Sequence, residues 1–330
     1  MGTFVTIRVA SRDADSALAP DDAETVTRAF GWFERVEACC TRFDPKSESM
    51  QLASRVGIAV PVSPMLFEAL HFALAVAEAT GGALDPTVGG AMQARGFNRN
   101  YRTGDVVRTT REAGDTVSYR DVLLDPGRMS VTLLRPLILD LGAVAKGLAI
   151  DMAARELQPL GHFAIDAGGD LYLGGRNDHG EPWSVGIRHP RLDNQLIDSV
   201  RASDVAVCTS GDYERRRPDD TQGHHILDPR TGHSAVAAAS ATVIAPTAMA
   251  ADALATAAFV LGPVAGIQLL ERQGVEGLIV SPSLALFRTQ GFHRDSILPD
   301  PERTADHRPA DPHGAGRAGG RPHADRAGAG

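Results

Sequence analysis

The chain has 330 residues and a formal net charge of −8, from 33 Lys and Arg against 41 Asp and Glu. That balance argues against a protein that grips nucleic acid by bulk electrostatics. Three cysteines without a CxxC pattern argue against a disulfide framework or a structural zinc site, and no stretch reaches the roughly 18 uninterrupted apolar residues of a membrane span.

The opening MGTFVT matches a lipidation pattern, but Thr3 to Val9 alternates apolar and polar residues and reads as a first strand. A helix is expected from about Asp21 to Thr41, ended by a turn, FDPKSES, at Phe43. A second helix is expected over Pro64 to Thr80, with Ser63 as N-cap, Pro64 as first helical residue and Gly81-Gly82 as the stop. From Val88 to Val131 the sequence is polar and Arg-rich, with short strands expected at Val117 to Leu124 and Ser130 to Leu134. LILDLG, from Leu137, reads as a strand leading into a helix that starts at Ala145. Further strands follow at HFAIDAGGDLYLGG (from His162), WSVGIRHP (from Trp183), DVAVCTSGDY (from Asp204) and ATVIAPTA (from Ala241). An Ala-rich helix then runs from Pro246, before the final strands GLIVSPS and LALFRT. Strands in runs with helices between them indicate an α+β fold with mostly antiparallel sheets and packed helices.

Residues 299–330 contain no Val, Ile, Leu, Met, Phe, Trp or Tyr. Such a segment cannot bury enough surface to offset its ordering entropy, so a disordered tail is expected after a folded unit spanning 1–298. The tail's G-x-G-x-x-G, Gly314 to Gly319, lacks a preceding strand and a following helix and is rejected as a dinucleotide site.

Three segments carry candidate chemistry. In the Ala-rich helix, Asp252 and Thr256 lie four residues apart and so share one face. A carboxylate there is costly unless paired or bound to a metal, and carboxylate with hydroxyl supplies the hard oxygens magnesium prefers. The opposing reading is an Asp that caps a neighbouring loop, with Thr256 bonded back to its own helix. In LDLGAVAKG, Asp140 and Lys146 put an anion and a cation at a strand-to-helix junction. The free N–H groups of such a junction favour phosphate, and a surface salt bridge accounts for the pair equally well. The Gly pairs 168–169 and 174–175 fit either a close ligand approach or two hairpin turns. In GHHILDPRTG, His225 precedes a turn and is a candidate general base. Ser210 lacks the G-x-S-x-G elbow of a hydrolase nucleophile.

In combination and in this order, MGT at Met1, LDPTVGG at Leu84, LDLGAVAKG, DAGGD, TSGDYER at Thr209, HHILDPRTG and IAPTAMAADALATA from Ile244 resemble the ApbE family, the FAD:protein FMN transferases. The resemblance extends to about Ser296. It implies a duplicated, T-fold-like α+β architecture. It also implies a magnesium-dependent enzyme that splits FAD, releases AMP and joins FMN by a phosphoester to a Thr or Ser of a separate acceptor protein. Matching positions make Asp252, Thr256 and the Ala143 carbonyl the magnesium ligands. Met1, Phe43, Ala83, Leu84, Asp85, Asp140, Lys146 and Ile226 become the FAD contacts, and His225 the essential histidine that takes the acceptor proton. The alternatives are a hydrolase that uses water as acceptor and a non-catalytic flavin-binding protein. The chain departs from the family pattern at Gly90, where members often carry Pro, at Arg95, where they carry Trp, and at Ala255, where some place a second carboxylate. A cytoplasmic location is expected for the sequence as written, and export if the true start lies upstream with a signal.

Overall fold

The computed structural model describes residues 2–10, 19–100, 103–107, 117–214 and 223–292. Met1 and the expected tail at 299–330 lie outside the described residues. The first half contains β1 (Val5–Val9), α1 (Pro20–Cys40), α2 (Glu48–Ala53), β2 (Val60–Pro61), α3 (Pro64–Ala79), α4 (Gly89–Ala94), β3 (Val122–Asp125), β4 (Ser130–Leu133) and α5 (Gly142–Leu157). It is followed by β5 (Phe163–Ala167), β6 (Asp170–Gly174), β7 (Trp183–Arg188), β8 (Leu196–Ala202), β9 (Val205–Gly211), β10 (Leu227–Asp228) and β11 (His233–Ser234). The chain closes with β12 (Ser240–Ala245), α6 (Ala248–Arg272), β13 (Glu276–Val280) and β14 (Leu286–Arg288).

Local chemistry sets several of the helix starts. Pro20 opens α1, with Asp21 and Asp22 in the first turn, and buries Thr25, Ala29, Phe33, Val36 and Cys40 at helical spacing. Ser63 Oγ accepts from Leu66 N at 3.2 Å ahead of Pro64, so the expected cap is present. Thr247 caps α6 through Ala250 N, and Asp151 of α5 accepts from Ala248 N at 2.6 Å and Met249 N at 3.0 Å. Together they satisfy three of the N–H groups that a helix start leaves open.

The centre of the fold is a seven-stranded antiparallel sheet in the order β1-β5-β6-β9-β12-β13-β14. Its inner face, including Ile165, Ala206, Cys208, Ala241, Val243 and Ile279, packs on α5 and α6, with α1 and α3 beyond. The outer face carries Leu173, Val207, Leu278 and Val280 and is covered by the β7–β8 hairpin through Trp183, Ile187 and Val200. A three-stranded sheet, β2-β4-β3, meets α2 through β4. By length and composition α6 could cross a membrane. Here it packs against both the sheet and α5, and Gly262 (φ 78°) kinks it before Pro263.

Several expectations need correction. LILDLG is not a strand: Ile138 makes one parallel bridge to Val88, and Asp140 N donates to Pro86 O at 2.7 Å. Its neighbour is an irregular loop, so Leu137, Ile138 and Leu139 are all buried instead of alternating. The helix that follows begins at Gly142, earlier than expected. The segment at Val117 opens with a 3₁₀ turn, Tyr119–Asp121, because the Asp121 carboxylate accepts from Ser118 N. The FDPKSES turn leads straight into α2, which Ser47 caps through Met50 N at 3.2 Å. The elements α2, α4, β2, β8 and β11 were not anticipated.

Candidate active site

The LDPTVGG loop lies against the residues leading into α5. A Cβ on Gly89 would stand 2.5 Å from Ile138 O, so the close approach needs a residue without a side chain. Asp85 is buried. Its Oδ1 accepts from Thr87 N (2.8 Å) and Thr87 Oγ1 (2.7 Å), and its Oδ2 from Tyr119 N (2.9 Å). That carboxylate orders the loop, which leaves the buried Ala83 and Leu84 to form the wall.

Asp140 ends this wall just before α5. Its Oδ2 accepts from Arg42 Nε at 2.5 Å and its Oδ1 from Gly142 N at 2.8 Å. Burial pushes this carboxyl up, but Arg42, the Gly142 N–H and the nearby His225 outweigh it and hold the group below its ordinary range. Arg42 also donates to Phe97 O at 2.6 Å, and its guanidinium sits 4.2 Å from the centre of the half-buried Phe43 ring. Asp140 and Lys146 therefore do not form a pair with each other; each has a partner elsewhere.

Lys146 projects from the second turn of α5 and contacts Asp170 Oδ2, with Asp252 Oδ2 at 3.9 Å. Burial lowers the lysine's proton affinity, but the two carboxylates outweigh it and raise it. Asp170 is the first residue of β6, is only 1% exposed, and takes Thr209 N on Oδ1 at 3.0 Å. Across the same cluster Thr256 Oγ1 lies 3.1 Å from Ser210 Oγ, so the hydroxyl faces β9 instead of bonding back to its helix. Burial, with Asp170 and Asp252 adding to it, pushes the Cys208 thiol well above its ordinary value, which keeps it neutral. The helices are locked close together, since a Cβ on Gly147 would lie 2.5 Å from both Ala248 O and Met249 N.

The two histidines differ. His224 is buried, edge-on to Phe259 at 5.5 Å, with Nε2 at 2.7 Å from Ala235 O and Nδ1 accepting from Ile226 N at 3.3 Å. Those partners assign a neutral ring with its proton on Nε2. His225 is half-buried and close enough to bias the titration of Asp140. Ile226 is buried beside it. The following turn is tied by Arg230 to Asp228 through two side-chain bonds at 2.8 Å, and Gly232 approaches Ala91 of α4. Gly168 and Gly169, both at positive φ, make the β5–β6 turn, and a Cβ on Gly168 would collide with the Thr3 side chain. The start of the chain thus runs beside the turn that presents Asp170.

Asp252, buried, and Thr256, half-buried, share one face of α6, as their spacing predicts. Two carboxylates face one ammonium, leaving a formal excess of one negative charge among hard oxygen donors. Among the described residues no group of three His, Cys, Asp or Glu forms a metal cluster. The Asp252 carboxylate and the Thr256 hydroxyl are hard oxygen donors of the kind that suits magnesium and not zinc, and Ala143, whose carbonyl is expected to join them, lies in the first turn of α5. A separate cavity of about 460 Å³, between the β7–β8 hairpin and the sheet's outer face, is lined by Thr6, Arg8, Asp166, Trp183 and Thr209 and by none of the expected site residues.

Sequence reasoning missed Arg42, Asp170 and Ser210 as members of the cluster. Asp170 and Ser210 lie inside quoted motifs, and an acid next to two glycines was a usable signal. Arg42, beside Phe43, carried none.

A family model described as the ApbE family matches residues 1–279. A protein of Vibrio cholerae serotype O1 named FAD:protein FMN transferase is 33% identical over 208 residues, which is 61% of this chain and 62% of that protein's length. One of the same name from Treponema pallidum is 32% identical over 316 residues, covering 88% of this chain and 85% of its own. The crystal structure of the ApbE protein of Thermotoga maritima superposes with a TM-score of 0.73 at 31% identity, over 87% of this chain and 97% of its own.

Proposed function

This chain belongs to the ApbE family, and from that premise we propose that it is an FAD:protein FMN transferase that moves FMN from FAD to a Thr or Ser hydroxyl of an acceptor protein and releases AMP. The observation that carries this reading is the convergence at α5. Asp140, Arg42 and His225 gather at its start, and Lys146, Asp170, Asp252, Ser210 and Thr256 one turn further on.

The buried Ala83-Leu84-Asp85 wall, Phe43 and Ile226 would hold the flavin half of FAD, with Met1 outside the described residues. At the start of α5 the N–H groups of Gly142, Val144 and Ala145 already donate to Asp140 Oδ1 and Leu141 O, so the phosphate site expected there from the sequence is largely closed. Asp252, Thr256 and the Ala143 carbonyl would hold magnesium, which when bound supplies charge neutralisation for the pyrophosphate. His225 accepts the proton of the acceptor hydroxyl as its oxygen attacks the FMN phosphorus. A new P–O bond forms, the P–O bond to the AMP phosphate breaks, and AMP leaves with the bonding pair. Asp140, held ionised by Arg42, favours the protonated His225 that results.

Incubation with FAD, magnesium and a candidate acceptor, followed by intact-mass measurement, tests this reading. An acceptor heavier by one FMN, with AMP released, is the expected result. AMP and free FMN without acceptor gain would mean a hydrolase, and neither product would overturn the enzymatic reading.

A further inference from the structure

We infer that Asp170 is a positioning residue for the metal site: it engages the Lys146 ammonium and so keeps that cation from closing onto Asp252. The inference rests on the magnesium reading above and adds to it a residue with its own task.

Asp170 is held from two sides. Thr209 N fixes Oδ1 at 3.0 Å, which leaves Oδ2 for Lys146. Lys146 stands in contact with Asp170 but 3.9 Å from Asp252, although both carboxylates are buried and within reach of one flexible side chain. Gly147 touches the backbone of Ala248 and Met249, so α5 and α6 stand at their closest approach and Lys146 stays within reach of Asp252. Without a second anion the ammonium would settle on Asp252, turning a metal ligand into half of an ion pair. The site would also lose its formal excess negative charge. Lys146 in turn holds together two carboxylates that would otherwise repel.

Asp170→Asn tests this directly, since the amide oxygen can still accept from Thr209 N while the charge that holds Lys146 is gone. Mg2+ affinity is measured by calorimetric titration of the whole chain, with and without FAD and with no acceptor. Asp170→Asn is expected to raise the Mg2+ Kd about 10- to 100-fold, the range seen when a residue supporting a ligand is lost. Asp170→Asn combined with Lys146→Met restores the wild-type charge count and removes the competitor, so its Kd is expected to return to within a few-fold of wild type. A loss of Mg2+ that persists in the double variant would assign Asp170 a purely structural role and overturn the inference, as would a Kd unchanged in Asp170→Asn. If Asp170→Asn does not fold, Lys146→Met alone decides: Mg2+ binding at least as tight as wild type supports the inference, and weaker binding overturns it. Failure of the wild-type chain to bind Mg2+ in either condition would overturn the metal reading itself, and this inference with it.

Discussion

Arg42 and Asp140 stand 98 residues apart in sequence and meet through a 2.5 Å bond, with 7% of the arginine side chain and 17% of the aspartate side chain exposed. The guanidinium also reaches Phe97 O and covers the Phe43 ring. One buried cation therefore ties the end of α1, the chain before α5 and the segment after α4 around the expected flavin pocket. Arg42→Met leaves Asp140 buried without its partner, and breaking such a pair costs about 3–5 kcal/mol. Denaturant unfolding should show that loss. FAD titration should show weakened binding that Arg42→Lys restores only in part, because an ammonium cannot reproduce the planar fork.

Asp151 couples folding to pH. It accepts two N–H groups from the start of α6, yet burial raises its pKa to about 6 against those bonds. The folded value lies above the unfolded one. The contribution is therefore fully present below the unfolded pKa and is lost as pH rises through about 6. Asp151→Ala should cost about 1–3 kcal/mol near pH 5, and less near pH 7.5. Denaturant midpoints at the two pH values measure the difference, and a cost that grows with pH would contradict the assignment.

Gly147→Ala introduces a methyl group where Ala248 O and Met249 N leave 2.5 Å. Overpacking of this kind costs about 1–3 kcal/mol, visible as a lower Tm. The same displacement moves Ala143 and Lys146 relative to Asp252 and Thr256. FMN transfer should consequently fall further than stability predicts when assayed well below the new Tm.

Thr256 and Ser210 separate ligand from support. Ser210→Ala removes the 3.1 Å bond to Thr256 and should destabilise by about 0.5–1.5 kcal/mol, with the magnesium requirement little changed. Thr256→Val removes the hydroxyl proposed as a metal donor and should shift the magnesium dependence of transfer to higher concentration, while Thr256→Ser preserves it. Equal magnesium curves for Thr256→Val and wild type would remove Thr256 from the ligand set.

His225 should be separable from its neighbour. His225→Ala is expected to abolish transfer with little loss of stability, since the ring is half-buried. His224→Ala should instead lower the Tm, because it empties a buried site against Phe259 and Ala235 O. Rates and melting curves for the pair distinguish the roles.

Local chemistry written in the sequence determined the helix starts at Ser63-Pro64 and Thr247, the antiparallel α+β character, and the stacking of Asp252 and Thr256 on one helix face. These depend on side chains a few residues apart, so propensity, capping and periodicity suffice. The motif blocks likewise carried the family. Tertiary structure alone decided the partners: Arg42 with Asp140, Lys146 with Asp170, and Ser210 with Thr256. A buried charge must be neutralised by whatever the fold brings within a few ångströms, and that neighbour comes from another strand or helix. The same reason misled the reading of LILDLG. Its apolar run marks burial on all sides, which a strand and a chain wedged between a loop and a helix share. Only the loop lying against it, brought close because position 89 is a glycine, shows which of the two it is.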